Sequence, residues 1–225
     1  MTLGPKSWIR RGWCLFVVFL TCGRAWAAPA IPAWLTESAA LPTPDYAAGA
    51  PALVLRDDYA VSIDAKGRTT TVRRYAVRIL KLGGEKYAAA SMSYLSGRDS
   101  AKGEGAWLLR KGTPVKPRTP HDWIDEVMDP NADFSEYRAK TISYADLAFA
   151  GDVFGCEVRV QGGMLFSTMR NVWISTLPTL HEAFDVTLPA GWSLAAQVDG
   201  DHPLTHTRSL DGRTWSWVLR DRPFR

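Results

Sequence analysis

Hydrophobic and polar residues alternate along residues 52–81, and this alternation predicts a long β-hairpin, because successive side chains of a strand point to opposite faces. In the first half of this stretch, one parity is apolar: Leu53, Leu55, Tyr59, Val61 and Ile63. In the second half, the apolar parity consists of Tyr75, Val77 and Ile79. Each strand should therefore bury one face and expose the other.

The loop between the two strands determines their register. A three-residue loop over residues 65–67, with Gly67 in a left-handed conformation, brings the two apolar parities onto one face. The opposing pairs that follow are Leu55 with Val77 and Asp58 with Arg74. A two-residue loop would set each apolar residue opposite a polar one, so we reject it.

The rest of the chain continues as short segments separated by Gly, Pro and Asp turns. The segments predicted as strands are 88–95, 106–110, 137–144, 153–161, 164–173, 181–188 and 192–198. A final hairpin pairs residues 204–210 with 214–219 across Asp211-Gly212. The longest predicted loops are 96–105 and 120–136. Because no helical period persists over a helix-length window, we predict an all-β, antiparallel β-sandwich in residues 52–225.

The first 27 residues have the organisation of a signal peptide. A basic start with Lys6, Arg10 and Arg11 precedes a short apolar run, and Ala25-Trp26-Ala27 supplies the small residues of a cleavage site. The apolar run is too short for a membrane span. We therefore expect a periplasmic or secreted protein. The alternative of lipid attachment at Cys22 is weaker, because the preceding Thr21 is bulkier than the small residues usual there.

Residues 28–51 are rich in Ala and Pro, and the prolines are spaced too closely for a helix or a central strand. This composition predicts a leader or linker. Trp34 and Leu35 are the large apolar residues of this segment that we expect to pack on the following domain.

Cleavage after Ala27 changes the charge balance. It removes four of the 27 basic residues and none of the 23 acidic ones, so the mature chain carries 23 of each. Without a basic excess, the electrostatic signature of a nucleic-acid-binding protein is missing, and we exclude that class. Cys14 and Cys22 also leave with the peptide, so Cys156 is the sole cysteine of the mature chain and cannot form an internal disulfide.

Cys156 is the candidate nucleophile, with His181 as a candidate base. Its strand, residues 153–161, places it beside Val158 and Val160 on one face, which predicts a small core residue instead. We therefore predict no catalytic residue, although an enzyme built on Cys156 stays a hypothesis.

Two patterns raise the question of a metal site. Asp129, Asn131 and Asp133 copy the start of a calcium loop, but Phe134 stands where Gly is required and Lys140 where the bidentate Glu should be. His202 and His206 are four residues apart, yet on a strand that spacing separates them by about 13 Å. We predict neither a metal site nor a cofactor.

Trp215 and Trp217 share one strand face, and Trp107 is a further candidate for an aromatic surface. An exposed row of such rings would bind sugars, whereas tryptophans on one face more commonly pack in a core. We predict core packing and keep carbohydrate binding as an alternative function.

The ordered motifs along residues 52–223 resemble a known domain family. They are Tyr59-Ala60-Val61, Arg78-Ile79-Leu80-Lys81, Gly112-Thr113-Pro114-Val115, Tyr144-Ala145-Asp146-Leu147, Gly151-Asp152-Val153, Leu177-Pro178, the run from Val186 to Trp192, and Thr214-Trp215-Ser216-Trp217. Together they resemble the uncharacterised domain found N-terminal to transglutaminase-like domains in exported bacterial proteins.

This resemblance implies an immunoglobulin-like β-sandwich, which in the family precedes a domain with a Cys, His and Asp triad. No position of this chain matches that triad, so we expect either a stand-alone module or a truncated product of a transglutaminase-like enzyme. The expected function is a non-catalytic exported module for binding or domain organisation. Its expected partner is a transglutaminase-like domain or another exported protein, held by loops 96–105 and 120–136.

Overall fold

A computed structural model of the chain describes residues 30–115, 120–129, 136–163, 169, 171, 176–199 and 204–223. Several predictions concern residues outside these ranges. They are the signal peptide with Cys22, the calcium-like positions Asn131 and Asp133, most of the predicted strand 164–173, and His202.

Eleven described strands form two sheets, which confirms the all-β prediction. The large sheet has the order β10-β11-β9-β1-β2-β8-β4-β5. Its strands are β1 (Ala52–Ile63), β2 (Arg68–Ile79), β4 (Ser100–Arg110), β5 (Thr113–Pro114), β8 (Val153–Gly163), β9 (Thr179–Thr187), β10 (Thr205–Arg208) and β11 (Thr214–Arg222). Among the described strands, β1 and β9 run parallel and the other pairs run antiparallel. The prediction of a wholly antiparallel fold is therefore wrong at this pair.

The small sheet has the order β3-β7-β6 and packs over part of one face of the large sheet, which we call the inner face. Its strands are β3 (Ala89–Leu95), β6 (Ile124–Val127) and β7 (Tyr137–Ser143). Ile142 and Tyr144 from this layer pack with Val77 and Phe154 of the large sheet in one buried cluster. The Tyr144 hydroxyl also donates to the carbonyl oxygen of Ala106 at 3.2 Å.

The predicted hairpin is formed by β1 and β2. The amide of Asp64 donates to the carbonyl of Arg68 at 2.9 Å, which closes the three-residue loop 65–67, and Gly67 has a φ of 75°. The left-handed conformation is one that glycine adopts without a steric penalty. Asp58 lies opposite Arg74, as the register prediction states.

The register changes at the start of the hairpin, so the predicted pairing of Leu55 with Val77 is wrong. A bulge between Val54 and Arg56 inserts one residue, and Val54 takes the position opposite Val77. A bulge shifts the alternation of the strand that carries it. Leu53 and Leu55 consequently point to the outer face and Val54 to the inner face, and all three are buried.

The outer face of the large sheet is covered at this end by α1 (Ala33–Ala40). Leu35 is fully buried on the sheet, where a Cβ at Gly155 would lie 2.4 Å from its Cδ1. The Trp34 ring packs edge-on against Trp107 with centroids 6.4 Å apart. The Arg78 guanidinium donates to the carbonyl oxygens at the end of the helix, at 2.7 Å to Ala39 and 2.8 Å to Leu41.

The expectation that residues 28–51 contain no helix is therefore wrong, whereas the packing of Trp34 and Leu35 on the domain is confirmed. The eight helical residues fit between Pro32 and Pro42. Pro32 precedes the first turn, where a missing N–H breaks no helical bond, and its carbonyl accepts from the amide of Leu35 at 3.0 Å.

Two other segment predictions fail. Residues 100–105 belong to β4 and pair with β8, so the predicted loop 96–105 shrinks to a turn over residues 96–99. Residues 192–198 form no strand. The alternating apolar side chains of this segment do not pack together on the core. Trp192 and Val198 are exposed, and Leu194 alone contacts a buried cluster.

Candidate functional site

The sequence Arg56-Asp57-Asp58 in β1 sends charged side chains to both faces of the large sheet. Asp57 lies opposite Tyr75 and points to the inner face, whereas Arg56 and Asp58 point to the outer face. Each side joins charged residues of neighbouring strands. We call Asp57, Arg73, Glu182 and Arg222 the inner cluster, and Arg56, Asp58 and His181 the outer cluster.

Arg73 occupies the centre of the inner cluster. Its Nε donates to Asp57 Oδ1 at 2.8 Å and its Nη2 to Oδ2 at 2.9 Å, while the guanidinium lies 5.1 and 5.0 Å from the ring centroids of Tyr59 and Tyr75. Its Nη1 reaches the carbonyl oxygen of Ser91 in the small sheet at 2.9 Å. Burial acts to lower the pKa of Arg73, but the Asp57 carboxylate outweighs it and the pKa is raised. Arg73 is thus a fixed positive charge that connects the two sheets.

Glu182 is the other acid of the inner cluster, and it lies beside Asp57 on the adjacent parallel strand. Its carboxylate is 3.6 Å from Arg222 Nη2, and Oε2 is buried without a hydrogen-bond donor among the described residues. Burial and, to a smaller extent, the Asp57 carboxylate raise the pKa of Glu182 to about 7, although Arg222 and Arg73 partly oppose them. Glu182 is therefore a carboxyl group that changes charge near neutral pH.

The outer cluster is a histidine and carboxylate pair with an arginine. His181 Nε2 lies 3.1 Å from Asp58 Oδ1, and Arg56 Nη1 donates to Asp58 Oδ2 at 3.0 Å. A carboxylate hydrogen-bonded to an imidazole can orient it for proton transfer, but Asp58 Oδ1 accepts no hydrogen bond from the described residues. Such a pair catalyses group transfer only beside a nucleophile, and no hydroxyl or thiol in the described part of the chain forms a hydrogen bond with His181.

Neither cluster is predicted by the alternation along the chain, although the inner cluster has one signal in the sequence. Asp57 has the parity of Tyr59, Val61 and Ile63 in β1, and Glu182 has the parity of Phe184, Val186 and Leu188 in β9. Arg73 likewise shares the parity of Tyr75 and Val77 in β2. A charged residue on the apolar parity of a strand indicates a buried polar group that must find a partner.

Cys156 lies in the core, as predicted. It is fully buried in β8 with Val158, and burial raises the pKa of its thiol to about 12. His181 does not accompany it, because β1 and β2 lie between β9 and β8 in the sheet, about 14 Å in all. A buried thiol with a raised pKa is a poor nucleophile.

The tryptophans also lie in the core. Trp107, Trp215 and Trp217 are each at least 92% buried, so their rings do not form the exposed platform that carbohydrate stacking needs. Trp217 stacks against His206 of β10 with centroids 5.1 Å apart. His206 therefore contacts an aromatic ring, and within the described ranges it belongs to no metal-binding group.

The predicted acidic loop 120–136 contains a strand in its described part. β6 pairs with β7, and Asp125 accepts hydrogen bonds from Arg138 Nε at 2.7 Å and from the Tyr94 hydroxyl at 2.8 Å. Burial opposes ionisation of Asp125, but the bonds from Arg138 and Tyr94 hold its pKa below the usual range. The prediction of a loop is therefore wrong for residues 124–127, which form a strand, although their side chains are exposed to solvent.

The outer face of the small sheet exposes large apolar side chains. Ile124, Met128 and Tyr137 are 55, 56 and 62% exposed, and the amide of Met128 donates to the carbonyl of Tyr137, so the two residues are adjacent. Leu95 of β3 lies opposite Tyr137 and continues the row. We call the face formed by Leu95, Ile124, Met128 and Tyr137 the docking face. Exposed acids flank it: Glu126, Asp129 and Glu136.

Neither a metal site nor a membrane helix is found where the structure is described. No group of three or more His, Cys, Asp or Glu residues has the arrangement of a metal site within the described ranges. None of the described helices has the length and apolar character to cross a membrane.

Comparison with solved structures supports the fold. A crystal structure of a candidate protease from Parabacteroides distasonis superposes with a TM-score of 0.68 at 16% identity and covers 78% of this chain. This chain spans only 36% of that protein, and at such identity the likeness shows the fold alone. An M1 zinc metallopeptidase from Deinococcus radiodurans, at 12% identity over 78% of this chain and 40% of its own, reaches only 0.35 and carries no argument.

Comparison with protein families gives an assignment. None of the curated proteins matches this chain. A family model described as a domain of unknown function with a solved structure, DUF3857, matches residues 65–225. The predicted resemblance to an uncharacterised domain is thereby confirmed. The match covers every described strand except β1, and the chain therefore belongs to the DUF3857 family.

Proposed function

We propose that this chain is a non-catalytic, exported accessory module that binds a partner protein through the docking face. Its two layers would correspond to an immunoglobulin-like sandwich, and its partner would be a transglutaminase-like domain or another exported protein. The observation that carries this proposal is the contrast between the two kinds of candidate residue. The groups with reactive chemistry are buried or paired, whereas the docking face presents apolar side chains to solvent.

The chemistry of the docking face indicates what kind of surface would bind there. A row of exposed apolar side chains on a sheet is typical of a protein interface, because leaving such a row in water costs free energy that association recovers. The flanking acids Glu126, Asp129 and Glu136 favour a partner that combines apolar and basic side chains. Nucleic acid would be repelled by the same acids.

Photo-crosslinking in the native host tests the docking face directly. A benzoylphenylalanine at position 137 should form one dominant adduct with an exported protein or a transglutaminase-like domain. The matched control is position 210, because Leu210 is fully exposed on the turn between β10 and β11 at the far edge of the large sheet. Identical adducts from both positions, or none from position 137, would contradict the proposal.

A charge reversal at the face tests the chemistry of the partner. Glu126→Lys should reduce the yield of the position-137 adduct several-fold, since it replaces an acid beside Met128 with a base. Arg220→Glu, an exposed charge reversal on β11, should leave the yield unchanged. Loss of the adduct with both variants would indicate a fault in folding or export instead of a specific contact.

Export is tested by the N-terminus of the protein recovered from the host. We expect a mature chain that begins at Ala28 and is found outside the cytoplasm. A cytoplasmic protein that retains Met1 would contradict the export part of the proposal and leave the docking face to be judged by the crosslinks alone.

A further inference from the structure

Glu182 occupies a junction between three strands. β9, which carries it, pairs with β1 on one side and β11 on the other, so the carboxyl lies beside Asp57 of β1 and opposite Leu219 of β11. The charged and titratable groups that interact with it are Asp57 and Tyr59 from β1, Arg73 from β2, and Arg222 from β11. Glu182 and Arg222 are only 8 and 7% exposed.

The hydrogen bonds in this junction leave Glu182 poorly stabilised as an anion. Arg73 gives two of its donors to Asp57 and a third to Ser91. Arg222 Nη2 donates to Thr179 Oγ1 at 3.2 Å and stays 3.6 Å from Glu182 Oε2. A buried carboxylate usually accepts two or three hydrogen bonds, whereas Glu182 Oε2 accepts none from the described residues.

We propose that Glu182 is a proton switch that secures the end of β11 when it is neutral and loosens it when it is ionised. In the neutral state, Arg222 can keep its bond to Thr179. In the ionised state, the carboxylate attracts the Arg222 guanidinium away from Thr179 or admits water to the junction. Either change alters the place where β11 ends.

The end of β11 is suited to such a change. Asp221 directly precedes Arg222 and has a φ of 48°, a left-handed conformation that is unfavourable for a residue with a side chain. The Tyr46 hydroxyl donates to Asp221 Oδ1 at 3.3 Å, which connects the end of β11 to the segment that follows α1. A shift of Arg222 would therefore reach the outer layer of the domain.

The pH dependence follows from the raised pKa of Glu182. The folded chain binds the proton more tightly than the unfolded chain does, so this contribution to stability is fully present below the pKa of an unfolded glutamate. It is lost as the pH rises to about 7, the pKa of the folded state. The folded domain should consequently be more stable in mild acid than above neutral pH.

Thermal unfolding between pH 5 and pH 8 tests the proposal with the full mature chain. The Tm of the natural protein should fall by about 3–6 °C across this range, and Glu182→Gln should abolish that fall, because an amide keeps the shape of the neutral acid. His181→Gln is the matched control, because His181 precedes Glu182 on the same strand and points to the opposite face of the sheet. The Tm fall should persist in that control.

A second measurement keeps the test decisive if a variant folds poorly. Carbon-13 labelling of the glutamate carboxyls should show one resonance that titrates near pH 7 in the natural protein and is missing from Glu182→Gln. The protection of the amides of residues 219–222, relative to the intrinsic exchange rate at each pH, should fall over the same pH range. Titration of every glutamate in the ordinary acid range, or an equal Tm fall in Glu182→Gln, would overturn the proposal.

Discussion

At the scale of single residues, the environment of each candidate side chain decides its chemistry more than its identity does. Cys156 and Glu182 are both buried, and burial raises the pKa of both groups with different chemical results. It keeps the Cys156 thiol protonated far above neutral pH, whereas it brings the proton equilibrium of Glu182 into the physiological range. A catalytic interpretation therefore fails for the cysteine, and a pH-dependent role becomes available to the glutamate.

The Cys156 thiol should not react in the native protein. With 5,5′-dithiobis(2-nitrobenzoate) at pH 8, we expect less than one tenth of the thiol to be modified in the time that fully labels the urea-unfolded chain, since the side chain is fully buried. Rapid modification of the native protein would show that Cys156 is reachable and would revive the enzyme hypothesis. Cys156→Ser should show no labelling in either state.

Gly155 is a residue whose lack of a side chain is needed for packing. Gly155→Ala places a Cβ 2.4 Å from Leu35 Cδ1, so the buried Leu35 side chain or its helix must shift, and we expect a loss of about 1–3 kcal/mol of unfolding free energy in urea. Gly163→Ala lies on the same strand and meets no atom within 4 Å. An equal loss in both variants would mean that strand geometry, and not the contact with Leu35, determines the effect.

At the scale of elements, alternation predicted most of the strands but not what covers them. The hairpin of β1 and β2, the loop at Gly67 and the pair Asp58 with Arg74 follow from parity and turn chemistry alone. The bulge near Leu55 does not, because it depends on both faces of the sheet being covered at that end. A prediction from alternation takes one face of each strand to be apolar and buried and the other to be polar and exposed. For this reason it also fails to predict the buried charges of the inner cluster.

The helix α1 is the element that sequence analysis missed, and its contribution can be measured. Leu35→Ala removes a fully buried side chain from the contact with the sheet and should lower the unfolding free energy by about 2–4 kcal/mol. Glu37→Ala is exposed on the same helix and should change it by less than about 0.5 kcal/mol. If Leu35→Ala matched Glu37→Ala, residues 30–51 would behave as the linker that their composition suggests.

At the scale of the whole molecule, the two sheets are joined by an apolar core and by the inner cluster beside it. Alternation in each strand predicts the core, because apolar parities must be buried somewhere. It cannot predict which strands of the two sheets meet. The parallel pairing of β1 with β9 brings Asp57 beside Glu182 although 124 residues separate them in the sequence, and no local pattern records that proximity. The candidate site is therefore a product of topology.

Arg73 should be the residue on which the connection between the sheets depends most strongly. Arg73→Met leaves the Asp57 carboxylate buried without its two hydrogen bonds and removes the bond to Ser91, so we expect a loss of about 3–5 kcal/mol of unfolding free energy. The adjacent Arg74→Met removes an ion pair between a largely exposed guanidinium and Glu157 on the outer face and should cost less than about 1 kcal/mol. Because the Arg73 charge lowers the pKa of Glu182, Arg73→Met should also move the Glu182 titration to higher pH, which the carboxyl resonances would report independently of stability. An Arg73→Met variant as stable as Arg74→Met, with the Glu182 titration unmoved, would mean that the apolar core alone holds the two layers together.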